Sequence, residues 1–414
     1  MSVPLVTSGT ITRYQWKTLL AAQAGYMLDA MDVLLYVFAL NTLRVEFNLS
    51  NQAAGAVISA TLVASAIGGI AFGVIADRVG RTRALAYTIL LYSLASAGTA
   101  TSRSLGELIA WRTLIGFGLG GEWSAGAVLV AETWPAEHRG KAIGWMQAGW
   151  ALGYMLAAAV TAVVLPRFGW RALFLTGLAP ALLALAIRAR LEEPPIWRSR
   201  KTAARNGLAE IFGSALRGTT IRATALTTSV LLGYWGLFTW LPGFLSAPVS
   251  EGGAGLTILR TSAWIFPMQI GAFLGYITFG VIADRVGRRP AFVFYMIAAA
   301  VLTPLYGWLP RLGGVNAEAM LLGLGPLIGF FGSGYFSLFG AMLAELYPTS
   351  VRGAGQGFTY NSGRAVSAFA PYLIGAAADR SGLGSALAWN AGFFLAGAVL
   401  IFTLPETRRA ELQE

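Results

Sequence analysis

Long apolar stretches alternate with short polar breaks along the whole chain. The breaks place twelve predicted helices, near 17–41, 51–77, 83–101, 105–132, 139–164, 170–190, 219–246, 258–284, 290–309, 316–346, 352–378 and 385–405. Each has the roughly 20 apolar residues needed to cross a bilayer. The longest polar interval, Leu191 to Thr220, carries Arg198, Arg200, Lys201, Arg205 and Arg217. It reads as a linker over 191–218, with a short surface helix at Leu208–Leu216, between an N-terminal unit (1–190) and a C-terminal unit (219–414). The first 16 residues are mixed and polar, without the pattern of a cleavable signal.

The two units are related. Phe72 to Arg81 reads FGVIADRVGR, and Phe279 to Arg288 repeats it residue for residue, 207 positions later. A second, weaker repeat sets Ala131-Glu132, Pro135, Arg139 and Gly140 against Ala344-Glu345, Pro348, Arg352 and Gly353, at an offset of 213. Repeats at half the chain length imply two similar halves facing one another, not a solenoid. The expected fold class is an all-α membrane protein whose twelve transmembrane helices form two pseudo-symmetric six-helix bundles. Paired bundles of this kind are the architecture of alternating access.

Composition agrees with a lipid environment. The chain is 56% hydrophobic and 12% charged, with mean hydropathy +0.62, where a soluble domain is about a quarter charged. Its 51 glycines suit helices that pack through small residues. A net charge of +11 could signal nucleic-acid binding, but the distribution of charge excludes it. With the N-terminus cytoplasmic, 21 of the 30 Lys and Arg fall in cytoplasmic segments, seven fall outside, and Arg112 and Arg364 lie within helices. That bias is the positive-inside rule, so both termini are expected in the cytoplasm. There is no Cys, hence no disulfide or thiolate site, and no metal site or cofactor is expected. The one His, His138, lies in a loop and suits no transmembrane proton relay.

The repeated loop resembles the signature loop of the major facilitator superfamily, of the form G-x-x-x-D-R-x-G-R, and the resemblance covers all twelve predicted helices. It implies a gating role for Asp77, Arg81, Asp284 and Arg288, in charge relays with Glu132, Arg139, Glu345 and Arg352. Glu193-Pro194-Pro195-Ile196-Trp197-Arg198 resembles a box of the sugar porters and their relatives, and Pro405-Glu406-Thr407 resembles their P-E-T ending. GYMLDAMD in the first predicted helix and GLGGEWSAG in the fourth look most like the organic-acid:proton symporters, including sialate, lactate, nicotinate and aromatic-acid carriers. The resemblance implies a monomer in the plasma (inner) membrane, with a small organic acid and the lipid bilayer as its partners.

Ionisable residues deep in membrane helices are costly, and each is a functional hypothesis. Asp29, Asp32, Arg112, Glu122 and Arg364 qualify. Asp29 and Asp32 are i,i+3 neighbours on one helix face, with Tyr26 and Tyr36 extending the stripe. Two carboxylates so placed are suited to gaining and losing a proton, and Arg112 lies at a compatible depth. Arg112-Thr-Leu-Ile-Gly116 further resembles an R-x-x-x-G motif associated in the family with proton coupling. A purely structural Arg112–Asp32 pair competes with that reading. Glu122, after a ladder of glycines, is either a second proton site or a hydrogen-bond partner of nearby backbone. The expected proton-coupling set is Asp29, Asp32, Arg112 and Glu122.

Arg364 falls near mid-membrane, and no acidic residue lies mid-helix in its own half. Its partner is an acid of the other half, backbone, or a substrate carboxylate, which matches the guanidinium fork. Asn361, Tyr26, Tyr36, Gln147, Trp150, Tyr234, Gln269 and Tyr335 complete the expected binding set, with Trp235 and Phe336 beside them. The function expected is proton-coupled symport of a small organic carboxylate. An organic cation or drug:proton antiporter, a sugar-type facilitator and a non-transporting membrane sensor remain as alternatives. No nucleophile–base set marks an enzyme.

Overall fold

In a computed structural model, which describes residues 11–182, 207–348 and 351–407, the chain is helical and no strand occurs among the described residues. The first half comprises α1 (Arg13–Glu46), α2 (Asn51–Val79), α3 (Arg81–Thr99), α4 (Leu105–Thr133) and α5 (Ala136–Leu175). After the short α6 (Gly207–Ile211), the second half runs through α7 (Arg217–Phe238), α8 (Leu241–Ser246), α9 (Ile258–Val286), α10 (Arg288–Trp308) and α11 (Gly314–Ser333). It closes with α12 (Phe336–Glu345), α13 (Arg352–Ser367), α14 (Ala370–Ser381), α15 (Leu383–Leu387) and α16 (Asn390–Leu400). Most of the expected linker, including Glu193–Arg198, lies outside the described residues. Its surface helix is shorter than the expected Leu208–Leu216.

Local chemistry explains where the helices begin. Thr12 and Gln15 form a reciprocal capping box at the start of α1, and Ser50, Ser104 and Thr257 each accept an N3 backbone N–H at α2, α4 and α9. α5 continues past the fifth predicted span because only one residue, Gly169, leaves helical geometry, at φ 76°. That residue turns the chain into the sixth span.

The internal repeat is visible as packing. α2 meets α4 backbone to backbone: a Cβ on Gly116 would strike Thr61 O, and one on Gly68 would strike Phe117 O. In the second half, a Cβ on Gly329 would strike Met268 O, and one on Gly275 would lie 2.6 Å from Phe330 O. These contacts are equivalent at the same offsets, 207 for α2 to α9 and 213 for α4 to α11. Helix association in lipid depends on such close approach, since lipid offers no hydrophobic drive between helices. Large apolar side chains such as Phe294, Val399 and Phe402 face outward, as a lipid-facing belt requires.

The second half departs from the expectation of unbroken spans. The seventh breaks between Phe238 and Leu241, the tenth between Ser333 and Phe336, the eleventh between Ser367 and Ala370, and the twelfth between Leu387 and Asn390. At the first break, Pro242 has no N–H to give Phe238 O. The Tyr154 hydroxyl donates to that oxygen instead, at 2.8 Å, from the other half. At the third, Pro371 likewise leaves Ser367 O without its i+4 donor, and Pro371 O accepts the Trp240 indole N–H at 3.1 Å. The two breaks thus face each other and brace the centre of the molecule.

Candidate functional site

A cavity of about 40 Å³ lies between the halves. α1 supplies Tyr26; α5 supplies Gln147 and Trp150; α7 supplies Leu231, Tyr234 and Trp235. α9, α12 and α13 add Tyr276, Phe336, Tyr360 and Arg364. Aromatic rings form two facing walls. Tyr26 and Trp150 are 5.2 Å apart, Trp150 meets Trp235 edge-on at 5.8 Å, and Tyr234 meets Phe336 at 5.1 Å. One water needs about 10–15 Å³ of such space, so the cavity has room for a few waters.

Arg364 is the charged group of this cavity. It stands in the last turn before the α13–α14 break, is 6% exposed, and its guanidinium makes no ion pair or hydrogen bond with a described residue. Asp29 is a carboxylate whose field it shares, without direct contact. The indole N–H of Trp150 is also buried and unpartnered. A buried donor without an acceptor costs about 1–3 kcal/mol. That indole N–H and the guanidinium that opens onto the same cavity form a receptor for an acceptor-rich anion.

A second polar cluster lies wholly within the first half, between α1, α3 and α4. Asp29, Asp32, Arg112 and Glu122 are each at most 1% exposed. Among the described residues neither oxygen of Asp29, Asp32 or Glu122 meets hydrogen-bond geometry, although the Ser96 hydroxyl lies near enough to Asp32 to act on it. Glu122 Oε1 faces Gly25, where a Cβ would lie 2.5 Å away. Asp32 Oδ1 lies against Gly177, again 2.5 Å from where a Cβ would stand. Arg112 gives one N–H to Val33 O at 3.4 Å and sits 5.1 Å from the Tyr36 ring centroid. It makes no direct ion pair with Asp32, so the structural-pair reading has no contact behind it. Three carboxylates and one guanidinium, all desolvated, form a group able to hold and release protons.

Of the expected binding residues, Tyr26, Gln147, Trp150, Tyr234 and Arg364 meet at the cavity, with Trp235 and Phe336. Four others lie elsewhere. Tyr36 donates to Ala54 O at 3.1 Å and belongs to the Arg112 cluster. Asn361 donates to Gly357 O at 3.0 Å, with its Oδ1 facing Gly69 of α2. Tyr335 is fully buried, 4.6 Å from the ring of Phe336, and Gln269 is 2% exposed; neither lines the cavity. On α13 Tyr360 and Asn361 flank Arg364 on opposite sides, about 100° apart; the Tyr360 side faces the cavity and the Asn361 side faces α2. Tyr276, Tyr360 and Leu231 are lining residues absent from the expected set. The i−4 spacing to Arg364 was the available signal for Tyr360.

The gating residues fall at the face that carries Arg13 and Glu406. Arg288 binds Glu345 at 2.7 Å and approaches Asp284 at 4.0 Å. Glu406, from the P-E-T segment, accepts the backbone N–H groups of Arg288 and Arg289 at 3.1 and 3.0 Å, capping α10. The Arg289 guanidinium donates to Leu404 O. Arg352 begins α13. The side chains of Asp77, Arg81, Glu132 and Arg139 lie outside the described residues.

Comparison with known proteins adds a family. The Major Facilitator Superfamily profile matches residues 24–259 and again 255–413. A "Probable 4-methylmuconolactone transporter" of Cupriavidus pinatubonensis is 34% identical, over 95% of this chain and 91% of its own. The "Cis,cis-muconate transport protein" of Acinetobacter baylyi is 30% identical, over 94% of each chain. Among solved structures, a D-xylose-proton symporter superposes with a TM-score of 0.77 at 19% identity, covering 95% of this chain and 99% of that one. That likeness speaks to the fold alone.

Proposed function

The chain belongs to the Major Facilitator Superfamily and is an integral membrane transporter of that family; from that premise we propose that it couples protons to the symport of a small, planar organic carboxylate. The observation that carries this reading is the buried, unpartnered guanidinium of Arg364 on an aromatic-walled cavity between the halves. A carboxylate satisfies the guanidinium with two parallel hydrogen bonds. Tyr26, Trp150, Tyr234 and Trp235 offer flat faces to an unsaturated or aromatic body. The relatives named for muconate and a muconolactone support the same substrate class. An organic cation fits poorly, because it would lie beside Arg364.

The proton side rests on the buried acids. A carboxylate bound to Arg364 takes up the positive charge that otherwise acts on Asp29. Proton uptake by the Asp29, Asp32 and Glu122 group restores the balance, and the charge of Arg112 acts on Asp32 from α4 without direct contact. Moving an anion and a proton together avoids carrying net charge through a low-dielectric centre. Positive charge is concentrated at the face bearing Arg13 and Glu406, so this face is cytoplasmic and the opposite face is outside the plasma membrane.

Uptake into proteoliposomes of labelled cis,cis-muconate, nicotinate, benzoate, lactate and sialate, with and without an inward proton gradient, tests the proposal. Gradient-dependent uptake of an acid in the wild type, lost in Arg364→Ala and in Asp32→Asn, is the expected result. Movement of an organic cation with none of the acids would overturn it and reassign Asp29 and Asp32 as the ligand site.

A further inference from the structure

Both copies of the long repeat contain Ala-Asp-Arg-Val-Gly, at 76–80 and 283–287. A third form, Ala378-Asp379-Arg380-Ser381-Gly382, stands at the opposite face of the molecule. At all three places one helix ends on the glycine and the next begins at the following residue. The glycines share one unusual conformation, with φ and ψ of 111° and 154° at Gly80, 105° and 152° at Gly287, and 80° and 156° at Gly382. Residues with side chains rarely adopt that region, so the glycine is required by the turn.

The third form reaches across the halves. Asp379 Oδ1 accepts the backbone N–H of Asn51 at 2.9 Å and the Asn51 side-chain amide at 2.8 Å. Its Oδ2 accepts the backbone N–H of Gln52 at 2.9 Å. These are the N1 and N2 donors of α2, and Ser50 takes the N3 donor at 3.1 Å. An aspartate from the second half therefore completes the N-terminus of a helix in the first. Its charge also complements the positive end of that helix.

We propose that Ala378–Gly382 is the gate element of the outer face, and that Asp379 latches this gate shut by capping α2. The surroundings fit a closed gate. Gln52 bonds the Tyr372 hydroxyl, Arg44 pairs with Glu251 at 3.4 Å, and Asn41 donates to Gly243 O at 3.0 Å, all between halves. A Cβ on Gly375 would come within 2.5 Å of Asn51 O, so α14 and α2 touch closely just below the latch. The latch borders a solvent-open depression of about 490 Å³. Water can therefore replace each hydrogen bond as the halves part, which makes the latch reversible. The inference concerns gating of the outer face and is independent of which substrate is carried.

The absence of cysteine makes the test direct. Leu40 is fully buried on α1 and faces Gly243 of the other half, above the cavity. In Leu40→Cys, labelling from outside by a membrane-impermeant thiol reagent reads how often the outer face opens. Adding Asp379→Ala should raise the labelling rate about tenfold, equal to about 1.4 kcal/mol of gate equilibrium. Asn51→Asp should do the same by like-charge repulsion, and an acid at N1 suits the helix itself, so it covers the case in which Asp379→Ala fails to fold. Labelling at the rate of Leu40→Cys alone, in a monodisperse variant of either kind, would overturn the proposal.

Discussion

Replacing Arg364 by methionine should leave the empty protein at least as stable while destroying its function. The guanidinium is 6% exposed and has no partner among the described residues. Replacing a buried ion pair by apolar residues of similar volume is neutral or stabilising by about 1–4 kcal/mol, and Arg364 has no direct pair to lose. At roughly 2–4 °C per kcal/mol for units of 150–250 residues, substrate-free Arg364→Met should melt no lower than wild type and up to several °C above it. Carboxylate affinity should move the other way. Truncating one partner of a desolvated charge pair costs about 2–5 kcal/mol, a loss of roughly 30-fold or more. The sign depends on Asp29, which shares the field of Arg364. The double variant Asp29→Asn/Arg364→Met removes that coupling and should be at least as stable as the single one. Thermal melts of purified protein in detergent, without substrate, alongside uptake in proteoliposomes, provide both readouts. A lower melting temperature in Arg364→Met, recovered in the double variant, with carboxylate uptake retained, would refute the reasoning and make Arg364 a structural partner of Asp29.

Three further outcomes follow from the geometry. Gly177→Ala places a Cβ against Ser96 Oγ and 2.5 Å from Asp32 Oδ1, so proton-driven uptake should fall and stability should drop by about 1–3 kcal/mol, read by uptake and thermal melts. Tyr154→Phe leaves Phe238 O without its donor, since Pro242 has no N–H. It should lose about 1–3 kcal/mol, whereas Tyr306→Phe, whose hydroxyl has no partner, should lose little. Gly116→Ala and Gly329→Ala occupy equivalent positions and would strike Thr61 O and Met268 O. Both should lower the yield of folded protein to a similar degree in size-exclusion profiles, and a large difference between them would contradict the packing symmetry.

Much of this architecture can be read along the chain. Apolar stretches longer than a bilayer is thick leave the backbone no choice but helix, because lipid satisfies no free N–H or C=O. The decapeptide repeat at 72–81 and 279–288 declares two related halves, and the backbone contacts of Gly116 and Gly329 repeat at those same offsets. Arg364, Asp29, Asp32, Arg112 and Glu122 stand out because charge within an apolar run is expensive wherever it occurs. Periodicity was less informative for neutral residues. Tyr26, Trp150 and Tyr234 meet at the cavity, while Tyr36, Gln269 and Tyr335, equally aromatic or polar and equally deep, do not.

The sequence alone thus determined the number of crossings, the twofold kinship of the halves and the costly charges, since each depends on composition within a single span. Only the tertiary structure decided which faces of different spans converge. A rotation of one residue, about 100°, separates Tyr360 in the cavity from Asn361 against α2. It also decided where the prolines break spans, because the orphaned Phe238 O needed Tyr154 from the other half. Asp379 reads as an ordinary loop acid until α2, more than 320 residues earlier, brings its uncapped N–H groups within 2.9 Å. Contacts between distant parts of a chain depend on the relative placement of helices, and no local pattern of residues encodes that placement directly.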